Sequence, residues 1–81
     1  MLSQPIDPLI EQIIRERLRE RRLPRDAAQI ISVSTGGGLP CAGCGRIIGQ
    51  RDQQWECEIA AGRLHFHQVC YMVWEDERDR E

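Results

Sequence analysis

The first quarter of the chain has its apolar residues at helical spacing. In "DPLIEQIIRERLRERRL", from Asp7 to Leu23, apolar side chains recur at intervals of three and four residues, which is typical of an amphipathic helix. Asp7 suits the N-cap and Pro8 the first helical position. Pro24 is expected to end the helix, because it disfavours helical geometry at the residue before it. The predicted apolar stripe consists of Leu9, Ile10, Ile13, Ile14 and Leu18.

The next segment, "RDAAQIISVST", supports two interpretations. Asp26 suits the cap of a short helix reaching Ile31, whereas the β-branched residues between Ile30 and Thr35 favour a strand. We expect a short helical turn followed by extended chain. The three glycines at 36–38 then predict a flexible break.

The second half of the chain alternates apolar and polar residues. In "QWECEIA", Trp55, Cys57 and Ile59 are separated by glutamates, and in "GRLHFH", Leu64 and Phe66 are separated by polar residues. Period-two alternation indicates strands, and the intervening "AAG" predicts a tight turn between them. The sequence therefore predicts a β-hairpin whose apolar face includes Cys57 as a small buried side chain.

After this hairpin the pattern changes to helical spacing. Val69, Cys70, Val73 and Trp74 lie on adjoining turns of a predicted helix. The acidic end "EDERDRE" opposes the helix dipole and is expected to fray into solvent. These elements predict a small α+β fold with an N-terminal helix and linker at 1–38, followed by a second unit at 39–81 containing a Cys-rich knuckle, a hairpin and a C-terminal helix.

A chain of 81 residues with only four aromatic side chains has a small core and needs additional stabilisation. Its cysteines provide two alternatives, a pair of disulfides or ligands for a metal. The N-terminal sequence lacks the features of a secretory signal, and no apolar run is long enough to span a membrane. We expect a soluble cytoplasmic protein, in which reduced thiols favour the metal. The four cysteines are Cys41, Cys44, Cys57 and Cys70.

The spacing of cysteine and histidine predicts the ligands. Cys41 and Cys44 form a C-x2-C pair, while His67 and Cys70 lie three residues apart, which places both on one face of a helical first turn. Structural zinc is typically bound by two such pairs. We therefore expect one structural Zn²⁺ at these four residues. His65 and Cys57 are alternatives for one ligand, although His65 is more simply a surface histidine near the glutamates at 56 and 58.

A resemblance is carried by "LPCAGCGRII" and "RLHFHQVCYMVWEDE". Knuckle, hairpin and a helix bearing the last ligands resemble a treble-clef zinc finger, and C-x2-C followed by H-x2-C is similar to the first half of a LIM domain. The segments also look like small bacterial zinc proteins of uncharacterised role. The resemblance covers about residues 39–76 and implies zinc at the four ligands above, with Phe66, Tyr71 and Trp74 packed around it. A second LIM quartet is absent after Cys70.

Nothing in the sequence indicates catalysis. Four protein ligands close a zinc shell, and neither HExxH nor the H-x-E of zinc deaminases occurs. We expect neither an enzyme nor a small-molecule or membrane binder, but a protein-interaction or regulatory module with the metal as scaffold. The partner is a second copy or another protein. One candidate surface is the helical stripe, including Ile10, Ile13, Ile14 and Leu18, which either packs on the zinc unit or binds a partner.

The distribution of charge suggests an alternative function. The net charge is −2, yet six arginines and only two glutamates lie between positions 15 and 25. A basic helix face of this kind can follow a phosphate backbone. The alternative is therefore a nucleic-acid-binding regulator that uses Arg15, Arg19 and Arg22. A solvated helix face also explains the arginines, and the acidic second half of the chain opposes nucleic-acid binding.

Overall fold

The computed structural model describes residues 7–60 and 62–80, and it confirms a small α+β fold with two helices and one antiparallel sheet. The sheet has three strands in the order β1-β2-β3. No helix within the described ranges has the length and apolar character needed to cross a membrane. The elements are α1 (Pro8–Arg19), β1 (Ile30–Thr35), β2 (Gln53–Ile59), β3 (Gly62–His67) and α2 (Gln68–Asp79).

Helix α1 begins as predicted but ends earlier. The Asp7 carboxylate accepts a hydrogen bond of 2.9 Å from the Leu9 N–H. The predicted end at Leu23 is wrong, because Arg21 adopts a left-handed backbone conformation with φ of 62°. The N–H groups of residues 22 and 23 then both donate to the Arg17 carbonyl, at 2.8 and 3.1 Å. This turn directs the Leu23 side chain into the core, where it is 2% exposed.

The apolar stripe of α1 packs against α2. Ile14 and Leu18 are buried in the same cluster as Trp74, whereas Ile10 and Ile13 are half-buried and Leu9 is exposed. Burying an aliphatic side chain of this size contributes about 1.5–3 kcal/mol. Of the two alternatives for the stripe, packing within the chain is therefore the one that the structure shows.

The segment before the glycines is a strand, and the predicted short helical turn that Asp26 would cap is wrong. β1 pairs along its whole length with β2, in a register that places Val33 opposite Trp55. Its β-branched side chains suit this extended conformation better than a helix. The pairing gives the backbone a hydrogen-bonding partner that local sequence patterns do not reveal.

The glycines at 36–38 do not form the flexible break that the sequence predicted. The Gly36 N–H donates to the Asp52 carbonyl and the Gly38 N–H to the Ile48 carbonyl, both at 3.0 Å. A side chain on Gly36 would meet the Gly49 carbonyl oxygen. The first glycine therefore allows two backbone segments to approach closely. The division of the chain at residue 38 stays a prediction.

The β2–β3 hairpin forms as the alternation indicated, although Ala61 of its turn lies outside the described residues. Trp55 pairs with Phe66 across the two strands, and α2 packs over both strands. The Phe66 and Trp74 rings stack at 5.0 Å, and those of Trp55 and Tyr71 at 5.2 Å. All four aromatic residues therefore belong to one sheet–helix interface.

The predicted fraying of the acidic C-terminus is wrong for the described residues, because α2 continues to Asp79. Glu77 is 6% exposed, and its Oε1 accepts a 2.9 Å hydrogen bond from Arg15 Nε of α1. Its Oε2 is buried and has no hydrogen-bond partner among the described residues. The hydrogen bond to Glu77 raises the pKa of Arg15. Arg78 also lies over the Trp74 ring, at 4.6 Å from its centroid, so these contacts hold the last turns of α2 to the core.

Replacing Ile14 tests whether α1 belongs to this core. We expect Ile14→Ala to lower the free energy of unfolding by about 2–5 kcal/mol, because it leaves a cavity at a fully buried position. Leu9→Ala is the matched control on the exposed side of the helix and should change it by less than about 0.5 kcal/mol. Denaturant unfolding of the metal-loaded protein measures both. Equal effects would contradict the packing of α1.

Replacing the glycines one at a time tests the close approach at Gly36. Gly36→Ala is expected to destabilise the protein by about 1–3 kcal/mol or more, because its Cβ has no space beside the Gly49 carbonyl. At Gly37, a Cβ would have its nearest contact at 3.8 Å, and Gly37→Ala should be neutral or slightly stabilising. Thermal unfolding compares the two. If both variants match the parent protein, the segment is a flexible linker after all.

Candidate metal centre

The C-x2-C pair lies in a tight knuckle between two short extended segments. Pro40 and Ile47 form an isolated antiparallel bridge, and the Cys41 N–H donates to the Arg46 carbonyl at 2.8 Å. The Gly45 N–H donates back to the Cys41 carbonyl at 2.9 Å, with Gly45 at φ of 84°. Glycine is the residue that takes this conformation without a steric penalty. The turn places both cysteine side chains on the same side of the knuckle.

The second pair lies where β3 becomes α2. His67 ends β3 and occupies the N-cap position of α2, and Cys70 lies in the first turn of that helix. The knuckle is attached to the outer edge of β3 by a 2.7 Å hydrogen bond from the Ala42 N–H to the His65 carbonyl. The His67 N–H lies 3.4 Å from Cys41 Sγ. This attachment brings together two pairs that are separated by 22 intervening residues in the sequence.

The four predicted ligand residues form one cluster. The ligand atoms of Cys41, Cys44, His67 and Cys70 all lie within 4.8 Å of one another. His67 Nδ1 is 3.5 Å from Cys44 Sγ and 3.8 Å from Cys70 Sγ. Tetrahedral zinc with its usual bond lengths to sulfur and nitrogen requires sulfur–nitrogen separations of about 3.6 Å. The donor set and its spacing therefore fit one metal ion of the zinc type.

The far side of the His67 ring is also held in place. Its Nε2 lies 3.3 Å from the Ile47 carbonyl oxygen and 3.8 Å from the Asp52 carboxylate. A ring that carries its proton on Nε2 donates to this carbonyl and leaves Nδ1 free to bind a metal. No sequence pattern predicted either outer partner. Ile47 belongs to the "GRIIG" segment after the knuckle, which returns the chain past His67.

The three sulfurs of the cluster have different proton affinities. A hydrogen bond from the Cys70 thiol, together with backbone N–H groups that include that of Gly43, lowers the pKa of Cys41 to about 4. The same Cys41–Cys70 hydrogen bond, with burial and the nearby charge, raises the pKa of Cys70. Partial burial raises the pKa of Cys44. The cluster without metal thus holds one thiolate, and a metal must displace protons from the other two thiols.

Neither of the alternative ligands belongs to the cluster. His65 lies beside Glu56, with its Nε2 3.5 Å from that carboxylate, which agrees with the predicted place near the glutamates at 56 and 58. Cys57 is fully buried in the core, and this burial raises the pKa of its thiol to about 11. Cys57 therefore behaves as a small apolar side chain, as predicted.

Two arginines of α1 have structural roles that the sequence did not indicate. Arg17 donates a 2.9 Å hydrogen bond to the Ala42 carbonyl in the knuckle, and Arg15 binds Glu77. Both contacts join residues far apart in the sequence, so no local pattern predicts them. The three arginines predicted to contact a partner, Arg15, Arg19 and Arg22, are all exposed, although Arg15 is already bound to Glu77.

Comparisons with protein-family models, with curated proteins and with solved structures found no match to this chain. The treble-clef and LIM-like interpretation therefore rests on the order of knuckle, hairpin and helix and on the ligand spacing.

Metal analysis of single variants tests the ligand set. We expect one zinc ion per chain, lost in Cys44→Ser and His67→Ala because each leaves only three ligands. The matched controls Cys57→Ala and His65→Ala should retain it, since neither side chain belongs to the cluster. Native mass spectrometry after removal of loosely bound metal gives the count. Loss of zinc in His65→Ala with retention in His67→Ala would show that the wrong histidine is assigned.

Metal binding should also release protons. Because the pKa values of Cys44 and Cys70 are raised while that of Cys41 is lowered, we expect about two protons to leave at neutral pH. Zinc affinity then increases with pH until these thiols ionise and decreases as the solution is acidified. Calorimetry in buffers of different ionisation enthalpy measures the number. Release of no protons would contradict the assigned thiols.

Proposed function

We propose that the chain is a non-catalytic module in which one structural zinc ion, bound by Cys41, Cys44, His67 and Cys70, holds together a surface for protein–protein interaction. The observation that supports it most strongly is the convergence of four zinc-type ligand atoms from two separate chain segments. Three cysteines and one histidine are a donor set of structural zinc sites. The proposed function is therefore to present a folded surface.

A structural role agrees better with the ligand number than a catalytic one. Catalytic zinc commonly has three protein ligands and keeps a position for water, whereas all four positions here are occupied by side chains. Cys41 and Cys70 are each 1% exposed, so the cluster lies mostly inside the fold. We propose that the module takes no small-molecule substrate and that its chemistry ends with metal binding.

The order of the elements along the chain supports a treble-clef interpretation. The knuckle precedes the β2–β3 hairpin, and α2 follows with the last ligand. In this interpretation α1 and β1 are additions to the treble clef, since α1 packs on α2 and β1 extends the sheet.

The dependence of folding on zinc tests the proposal. A strong chelator should abolish the near-ultraviolet circular dichroism of the clustered aromatic residues, and added zinc should restore it, because a core this small relies on the metal. Cys57→Ala retains all four ligands and is the control for destabilisation caused by removing any cysteine. A protein that remains cooperatively folded after complete removal of its zinc would refute the structural role.

Nucleic-acid binding is a second candidate, supported by one observation. Arg21 and Arg22 line a surface concavity together with Arg63 of β3. Against it, Arg63 contacts both Glu56 and Glu58, at 3.3 and 3.2 Å. Salt-dependent retention of DNA or RNA, lost when residues 19, 21 and 22 are changed to Glu, would support this candidate. Absence of retention at low salt would remove it.

A further inference from the structure

Within residues 7–60 and 62–80, the outer edge of β1 is open, whereas the other edge of the sheet is covered. Among the described elements, β1 contacts β2 alone. At the opposite edge, the knuckle binds β3 through the Ala42–His65 hydrogen bond. An uncovered edge presents a row of backbone donors and acceptors that can pair with another strand.

The hydrogen-bonding pattern indicates which groups of β1 are available. Gly36 donates to Asp52, and this pair continues the register of β1 with β2. Bonding alternates along an antiparallel pair, so the N–H and C=O groups of Ile31, Val33 and Thr35 point towards the outer edge. The same alternation places the side chains of Ile31 and Val33 on one face of the strand. They are 44% and 50% exposed.

β1 lacks two of the features that usually prevent edge strands from pairing, namely charged side chains and prolines. Natural edge strands are protected by charged side chains, prolines or bulges that interrupt the edge. In this chain, 30% of the residues are charged, yet the segment 27–45 contains no Asp, Glu, Lys or Arg. Pro40 is its only proline and lies outside β1. The most neutral part of the chain therefore coincides with its open edge.

We propose that β1 pairs antiparallel with β1 of a second copy, so that two three-stranded sheets form one continuous six-stranded sheet. A two-fold axis near Ser32 places Ile31 of each copy opposite Val33 of the other, in hydrogen-bonded positions. Apolar and β-branched cross-strand pairs stabilise antiparallel sheets. This inference gives the proposed interaction function a surface and a partner.

Charge is the reason for choosing a second copy as the partner. Because β1 is neutral, pairing the β1 strands of two copies places no like charges opposite each other. Both copies use the same surface in this pair, so the assembly closes as a dimer and does not grow further. A polyanion would find no cation on this strand, and a charged peptide would bury side chains without a counter-ion. Antiparallel self-pairing also lets each β1 use its outward backbone groups without a change in fold.

The oligomeric state of the zinc-loaded protein tests the inference. Sedimentation across a wide concentration range should reveal a species of about twice the 9.4 kDa chain mass. Val33→Lys and Ile31→Lys should each raise its dissociation constant at least tenfold, equivalent to about 1.4 kcal/mol, because a charge enters the paired edge. Met72→Lys is the matched control, since Met72 is 51% exposed and lies on α2, outside both β1 and the metal cluster. It should leave the dimer unchanged.

The outcomes separate this inference from the metal proposal. A zinc-loaded protein that remains monomeric at the highest concentration overturns the β1 pairing and leaves the structural zinc intact. A dimer weakened by Met72→Lys but not by Val33→Lys also overturns it. If the protein folds and dimerises through β1 without zinc, the metal proposal fails and the pairing stands. Zinc content and circular dichroism of each variant establish that it is folded.

Discussion

The structure depends on the contact between the cysteine knuckle and the point where β3 becomes α2. The Ala42–His65 hydrogen bond places the knuckle on the strand edge, and the Cys41 sulfur lies against the His67 N–H. Gly43 allows this approach, because a Cβ there would lie 3.0 Å from Cys70 Cβ. A metal ion bound at this contact would add a large share of the folding free energy of such a small domain.

The remaining elements are built around this contact. Ile14 of α1 lies close to Gly43, on the same side of that residue as Cys70, and Arg17 binds the Ala42 carbonyl. The helix therefore supports the knuckle both by apolar packing and by a hydrogen bond. Arg15 and Glu77 join the same helix to the end of α2. A chain with few large side chains thus uses its arginines as long-range connections within the fold.

Sequence patterns predicted the parts of this architecture that local physics determines. The Asp7 cap, the alternation in β2 and β3 and the three-residue spacing of His67 and Cys70 each depend on neighbouring residues. The end of α1 was predicted wrongly, because the turn at Arg21 is determined by the burial of Leu23 in a core that forms elsewhere. The helical turn before β1 was wrong for a similar reason, since the partner strand begins at Gln53. The contact of Glu77 with Arg15 could not be predicted from local patterns, because its partner lies 62 residues earlier in the sequence.

The coordination of the metal is the most direct test of the account. X-ray absorption at the zinc edge of the purified, reduced protein should show three sulfur atoms at about 2.3 Å and one imidazole nitrogen at about 2.0–2.1 Å. The His67→Ala variant, which is expected to lose its zinc, should give no spectrum of bound zinc. A site with only oxygen and nitrogen neighbours, or zinc that remains bound with an imidazole neighbour in that variant, would contradict the assigned centre.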